Sequence, residues 1–382
     1  MHICHVSPHL PPDQAANALL PAQLGAWSAA RGMTVSFVTQ PPAQGGSAVD
    51  ALPGPVHRTR NRSRSALARL LRIDTWRRAR SITRALDTAA DGADLIHLHS
   101  NGLIVEVAAH WARRRGVPFV LTLYGTEIWH YRPRRPVDPF ARAYRAAAEV
   151  TFYSQGLLDK ARELGLDRQG LTVVYPAVSD GFQPADPNTR ARWKAEAGIA
   201  EPLVVLNVKR LHELAGQQYL VDAFAHVASR RQDVRLVICG TGPLRETLET
   251  RAREAGVHDR ITFTGLLPNT GIARYAAIAD AFALPSLLEA LPTVAVEALA
   301  AGTPVVSADH PGGLELHALF GADVTIVPRQ DVQALTTALE AVLSPPRRTL
   351  PGTASIVRDR FGPEAVGAAY FQLYERVLGV RG

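Results

Sequence analysis

Cysteine is nearly absent from this 382-residue chain: Cys4 and Cys239 are the only two, and they lie far apart. They supply neither a disulfide framework nor the ligand set of a structural zinc. A stapled secreted fold is therefore excluded, and the cytoplasm is the expected location. Long apolar runs are absent as well. No uncharged stretch approaches the ~20 residues of a spanning helix, and Met1–Pro8 has neither the basic start nor the apolar core of a secretory signal. Acids are missing from one segment above all. Between His57 and Arg84 stand ten arginines (Arg58, Arg60, Arg62, Arg64, Arg69, Arg72, Arg77, Arg78, Arg80 and Arg84) and a single acid, Asp74. That segment carries +9 in a chain whose total is +7, so the remainder is close to neutral. One basic segment on an ordinary protein is not the footprint of a nucleic-acid binder. Trp76 alone interrupts the arginines, which leaves no stacking platform for single strands. No nucleic-acid partner is expected. The Arg58–Arg84 segment is either a solvated loop and helix or a basic surface for anionic lipid or a phosphorylated acceptor. In the second reading Leu67, Leu70, Leu71 and Trp76 are available to an interface, and the contact is peripheral, on the inner face of a membrane.

What is present reads as a packed α/β protein. The chain is 47% hydrophobic and 20% charged, and its length suits two domains at ~100–200 residues each. Short apolar runs recur: Ile3–Ser7, Thr34–Thr39, Leu95–Leu98, Phe119–Leu123, Glu149–Tyr153 and Thr172–Tyr175, then Leu203–Val208, Arg235–Cys239, Ile261–Thr264, Ala281–Leu284, Val305–Ser307 and Val324–Val327. Continuous apolar strands separated by helical stretches predict parallel sheets covered on both faces. The turn-rich Asp180–Asn188 lies between the two series and is the expected linker. Phe361–Leu378 reads as an amphipathic helix. Ligands of such sheets bind at the carboxyl ends of the strands, with a cleft between two domains as the default place.

The strongest chemical signal is Pro285-Ser-Leu-Leu-Glu289-Ala-Leu-Pro-Thr-Val-Ala-Val-Glu297, continuing to Gly302-Thr-Pro-Val-Val306. It predicts a strand, a loop holding Glu289, a helix with Glu297 about one turn from its start, and a further strand. A helix start presents free N–H groups where phosphate binds, and Thr293 is placed to cap it or to donate its hydroxyl. Each carboxylate can accept two hydrogen bonds from a vicinal diol. The spacing therefore suits a nucleotide-sugar, with one sugar at each glutamate. Two unrelated glutamates, one capping and one solvated, would give the same spacing.

With its surroundings, this segment resembles the retaining glycosyltransferases of family 4, which have the GT-B fold. Val237-Ile-Cys-Gly-Thr-Gly-Pro243, Ile261–Gly265, Tyr275–Asp280 and Pro311-Gly-Gly through Glu315 extend the likeness over the second half and, more weakly, the first. The resemblance implies two Rossmann-like doubly wound parallel-sheet domains facing an interdomain cleft. Residues 1–182 would be the acceptor side, 183–360 the nucleotide-sugar side, and 361–382 a helix packing back on the first domain. It implies transfer of a hexosyl group from a nucleotide-diphosphate sugar, uridine-linked, to an acceptor hydroxyl with retention. No metal and no cofactor would take part, and the acceptor would be a small molecule or a lipid-linked sugar. No Asp-x-Asp motif occurs to hold a metal.

Carried over by position, Glu297 would hold the ribose and Glu289 the donor sugar near its reacting carbon. Ala290, Leu291, Pro292 and Thr293 would meet the diphosphate, Leu266 and Leu267 the base, and Gly240 and Gly242 the nucleotide. Arg210 matches the family's phosphate-binding arginine, but the lysine expected about five residues on is Ala215. Lys209 either replaces it or is a solvated strand-end residue. The first loop lacks the family's glycines. Its Asp13, Gln14 and Asn17 either contact the acceptor or make a turn and a cap. Tyr124 stands where the family tends to have histidine, either hydrogen-bonding a sugar or packing. His97 and His99 stand at a strand end, one turned into the core and one out, or both on one face if the strand is regular. Two histidines alone make a poor metal site, and His99 is read as a cleft residue, with a core histidine as the alternative. Two rival functions share these features: a nucleotide-sugar epimerase on the same fold, and a catalytically weak partner subunit.

Overall fold

A computed structural model describes residues 1–13, 16–42, 52–60, 73–134 and 136–379. The chain forms two compact units, Met1–Tyr175 with Gly367–Gly382, and Pro176–Val366.

In the first unit, the described strands are β1 (His2–Ser7), β2 (Thr34–Thr39), β3 (Val56–Arg58), β4 (Leu95–His99), β5 (Phe119–Leu123), β6 (Glu149–Phe152) and β7 (Leu171–Val173). They pair in the order β3-β2-β1-β4-β5-β6-β7, all parallel. Strands β4 and β5 are buried at every position, as a sheet covered on both faces requires. Helix Leu103–Arg115 places Arg113, Arg114 and Arg115 in its last turn, where cations oppose the negative end of the helix dipole, and stops at left-handed Gly116. On the opposite face, the last helix sets Gly367 against Trp27, Phe371 under the Arg31 guanidinium, and buried Tyr370 and Tyr374 over the strands.

In the second unit, β8 (Leu203–Val208), β9 (Val234–Cys239), β10 (Ile261–Gly265), β11 (Ala281–Leu284), β12 (Val305–Ala308) and β13 (Val324–Val327) pair in the order β10-β9-β8-β11-β12-β13. The direction of travel across each sheet reverses beside its first strand, the switch point at which doubly wound sheets bind ligands.

Two expectations about elements need correction. The last part of the predicted linker is a helix start: Asp186 accepts bonds from the Asn188 and Thr189 amides at 3.0 Å, and Pro187 opens helix Pro187–Glu196. The last helix begins at Pro363, not Phe361, because Gly362 is extended ahead of a proline.

Candidate functional site

The carboxyl edge of the second sheet collects most of the residues singled out for the donor. Taken across the sheet, Leu266 and Leu267 follow β10, Gly240 and Gly242 follow β9, Lys209 and Arg210 follow β8, Glu289 follows β11, and His310 follows β12. Close backbone contacts fix these loops. A Cβ on Gly240 would lie 2.1 Å from the Lys209 carbonyl oxygen, and one on Gly242 2.2 Å from that of Leu211. Both glycines are thus required by the fit of one loop on the next, whatever they also offer a ligand. Gly216, at φ +68°, brings its loop against the Pro285 carbonyl, and the Leu287 amide donates to the Leu214 carbonyl at 2.8 Å.

Charge concentrates at the centre of this edge. Lys209 Nζ lies 2.5 Å from Glu289 Oε1, both side chains largely buried. Arg210 is exposed. Ala215 is fully buried in a short 3₁₀ turn, Glu213–Ala215. His212 and His310 join the group and were not singled out from the sequence. Burial, then the charges of Lys209 and Arg210, hold the His212 imidazole below its ordinary range. Burial pushes His310 down to about 4. Its neutral ring accepts the Gly313 amide at 2.9 Å and so caps helix Pro311–Phe320, a task usually given to Ser, Thr, Asp or Asn.

Helix Thr293–Ala300 begins at Thr293, with Pro292 in the capping position and no side-chain cap. Thr293 is therefore the first helical residue, not the cap. Pro292 has no N–H, so the amide donors offered to a phosphate are those of Leu291, Thr293 and their neighbours. Glu297 lies one turn in, and burial raises its carboxyl to about 7.

The first unit treats its candidates differently. Asp13 accepts from the His9 ring at 2.9 Å, and the Asn17 carbonyl accepts from Ser7 Oγ at 2.5 Å. Both follow β1. Gln14 lies outside the described residues, as do Arg62, Arg64, Arg69, Arg72, Leu67, Leu70 and Leu71 of the basic segment. His99 is a core residue, not a cleft residue. It is fully buried, with Nδ1 2.8 Å from the Tyr124 hydroxyl and Nε2 3.1 Å from His5 Nδ1. Tyr124 is half-buried, edge-on to Tyr153, and burial raises its hydroxyl pKa, which removes it further from a base at neutral pH. Of the basic segment, helix Ile73–Ala89 exposes Arg77, Arg80 and Arg84, with Trp76 60% exposed and Arg80 lying over its ring. Among the described residues, no helix is long and apolar enough to cross a membrane.

Two doubly wound parallel sheets, one with cations and a glutamate on its carboxyl edge, define a protein of GT-B fold. The chain belongs to the glycosyl transferases group 1: the family model of that description matches residues 189–355, and that of a glycosyl transferase 4-like domain matches residues 21–177. It is 31% identical over 305 residues to the 2-deoxystreptamine glucosyltransferase of Streptomyces kanamyceticus, covering 75% of this chain and 78% of the relative. It is 34% identical over 247 residues to a GDP-mannose-dependent alpha-(1-6)-phosphatidylinositol monomannoside mannosyltransferase of Mycolicibacterium smegmatis, covering 62% and 64%. Sucrose-phosphate synthase from Thermosynechococcus elongatus shares the fold with a TM-score of 0.78 at 22% identity, covering 100% of both chains. The enzyme is a hexosyltransferase of the family 4 type.

Proposed function

We propose that the enzyme moves a hexosyl group from a uridine-diphosphate sugar to an acceptor hydroxyl, with retention and without a metal. The observation that carries this reading is the order of groups along one sheet edge. Exposed Leu266 and half-buried Leu267 come first, then the glycine loops, then Lys209–Arg210, then Glu289, an order that supports assigning them in turn to base, diphosphate and sugar. Glu297 then takes the ribose diol. Lys209 supplies the second phosphate cation, because Ala215 cannot and Lys209 already reaches Glu289. Two cations stabilise charge that grows on the leaving diphosphate. In the reaction the bond from the anomeric carbon to the diphosphate oxygen breaks, and the acceptor oxygen bonds to that carbon from the same face. The acceptor proton passes to the departing phosphate oxygen. Such chemistry depends on positioning and electrostatics more than on a side-chain base.

The first unit, through Asp13, Gln14, Asn17 and Tyr124, takes the acceptor, a small molecule or a lipid-linked sugar. The enzyme works in the cytoplasm, with the Arg58–Arg84 segment resting on the inner face of a membrane. The mycobacterial relative's name specifies GDP-mannose, so GDP is the competitor to uridine diphosphate.

Calorimetry with UDP and GDP, followed by transfer assays with the matching sugar donors, tests the reading. UDP is expected to bind more tightly, and Glu289→Ala to lower transfer by at least about a hundredfold. Tighter GDP binding would replace the nucleotide, and undiminished turnover in Glu289→Ala would remove the assigned role. A new sugar epimer formed without acceptor would point to an epimerase.

A further inference from the structure

The first unit holds a cluster that the donor edge does not use. His97 and His99 occupy alternate positions of β4 and share one face of the sheet. His5 on β1 is the register partner of His97. One nitrogen from each of the three rings lies within 4.8 Å of the others. His5 Nδ1 and His99 Nε2 are 3.1 Å apart, close to the separation of two nitrogens on one tetrahedral ion with bonds of about 2.0–2.1 Å. All three side chains are buried, His97 and His99 completely.

The rings are also held from behind. Ligating histidines are ordinarily oriented by a hydrogen bond at the second nitrogen. Here Tyr124 holds His99 Nδ1, and the hydroxyls of Tyr374 and Thr122 lie 2.7 Å from the two nitrogens of His97. His97 can exchange one hydroxyl for an ion and keep the other. His5 Nε2 is buried with no partner, so hydrogen bonds alone leave the cluster unsatisfied. Next to Tyr124, the buried Glu127 accepts from Ser100 Oγ at 2.5 Å and from the Gly125 amide at 2.8 Å, and its Oε2 also lies 3.2 Å from the Tyr124 amide.

We propose that His5, His97 and His99 form a three-imidazole site for a divalent transition metal of the zinc type. Three nitrogen donors select zinc, cobalt, nickel or copper over magnesium and calcium. The ion would tie β1 to β4, and through Tyr374 to the last helix. It lies in a different unit from Lys209 and Glu289.

The test uses full-length protein stripped with chelator and shown to be folded by circular dichroism. It is titrated with Zn²⁺ by calorimetry and with Co²⁺ by visible absorption. The expected result is one ion per chain, tetrahedral Co²⁺ bands and a raised Tm. His5→Phe, which removes a ligand together with the orphaned nitrogen, is expected to abolish both uptake and bands. His99→Gln is a second variant should the first not fold. His110→Ala and His226→Ala, at exposed histidines outside the cluster, should bind as the parent does. A folded, stripped parent that takes up no stoichiometric ion would overturn the proposal, as would uptake that survives both cluster variants or is lost in the exposed controls.

Discussion

Glu297, to which we assign the donor ribose, illustrates how a residue proposed for binding can oppose the stability of its own fold. Its carboxyl is raised to about 7 by burial, from an ordinary 4.5. Between these values the folded chain holds a proton that the unfolded chain has lost. The stability contributed by that proton is full below about 4.5 and disappears as pH rises through 7. Glu297→Gln keeps the shape and removes the titration. The variant is therefore expected to be more stable than the parent at pH 8, by about 1–3 kcal/mol, with the difference shrinking toward pH 5. Donor affinity should move the other way, because an amide accepts fewer hydrogen bonds from a diol than a carboxylate does. Paired denaturant melts and donor titrations at pH 5 and 8 check both halves. A gain in stability without a loss of affinity would place the ribose elsewhere.

At the scale of elements, loops make this site, and glycines let them meet. Gly216 combines a left-handed φ of +68° with a Cβ position 2.1 Å from the Pro285 carbonyl oxygen. Gly216→Ala is expected to cost at least about 2 kcal/mol and to weaken donor binding by displacing the loop that leads to Glu289. Urea melts and calorimetry on the one variant measure both effects. Much of this level was legible in the sequence. Apolar runs such as Leu203–Val208 and Ala281–Leu284 announced buried parallel strands, and the glycine-bounded segment to Val306 announced strand, loop and helix. Strand β3 was not legible, since Val56-His57-Arg58 is three residues with no apolar run. The start of the last helix was misread because amphipathic spacing continues through Phe361, whereas Gly362 breaks the backbone. His5 gave no signal at all: only the pairing of β1 with β4 brings it beside His97, 92 residues away. His310 was passed over because histidine is a rare helix cap.

At the scale of the whole molecule, the proposed membrane contact of the arginine-rich stretch can be tested with lipid. Helix Ile73–Ala89 turns Arg77, Arg80 and Arg84 outward beside exposed Trp76. Binding to vesicles of anionic lipid is expected to exceed binding to zwitterionic vesicles, and to weaken from 0.05 M to 0.5 M salt as screening shortens from about 14 Å to about 4 Å. Replacing the three arginines with serine should lower sedimentation with anionic vesicles severalfold while leaving nucleotide affinity unchanged. Equal binding to both lipids would leave the segment a solvated surface.

The first unit is discontinuous: its sheet is built from residues before Tyr175, but Tyr370 and Tyr374 cover it. A ribosome makes the intervening residues first. The second unit therefore has all its strands in hand while the buried threonines and imidazoles of the first still lack their lid. Nascent chains halted before Gly367 should accordingly recruit chaperones at the N-terminal sheet, and a degradation tag placed there would act chiefly on unfinished copies.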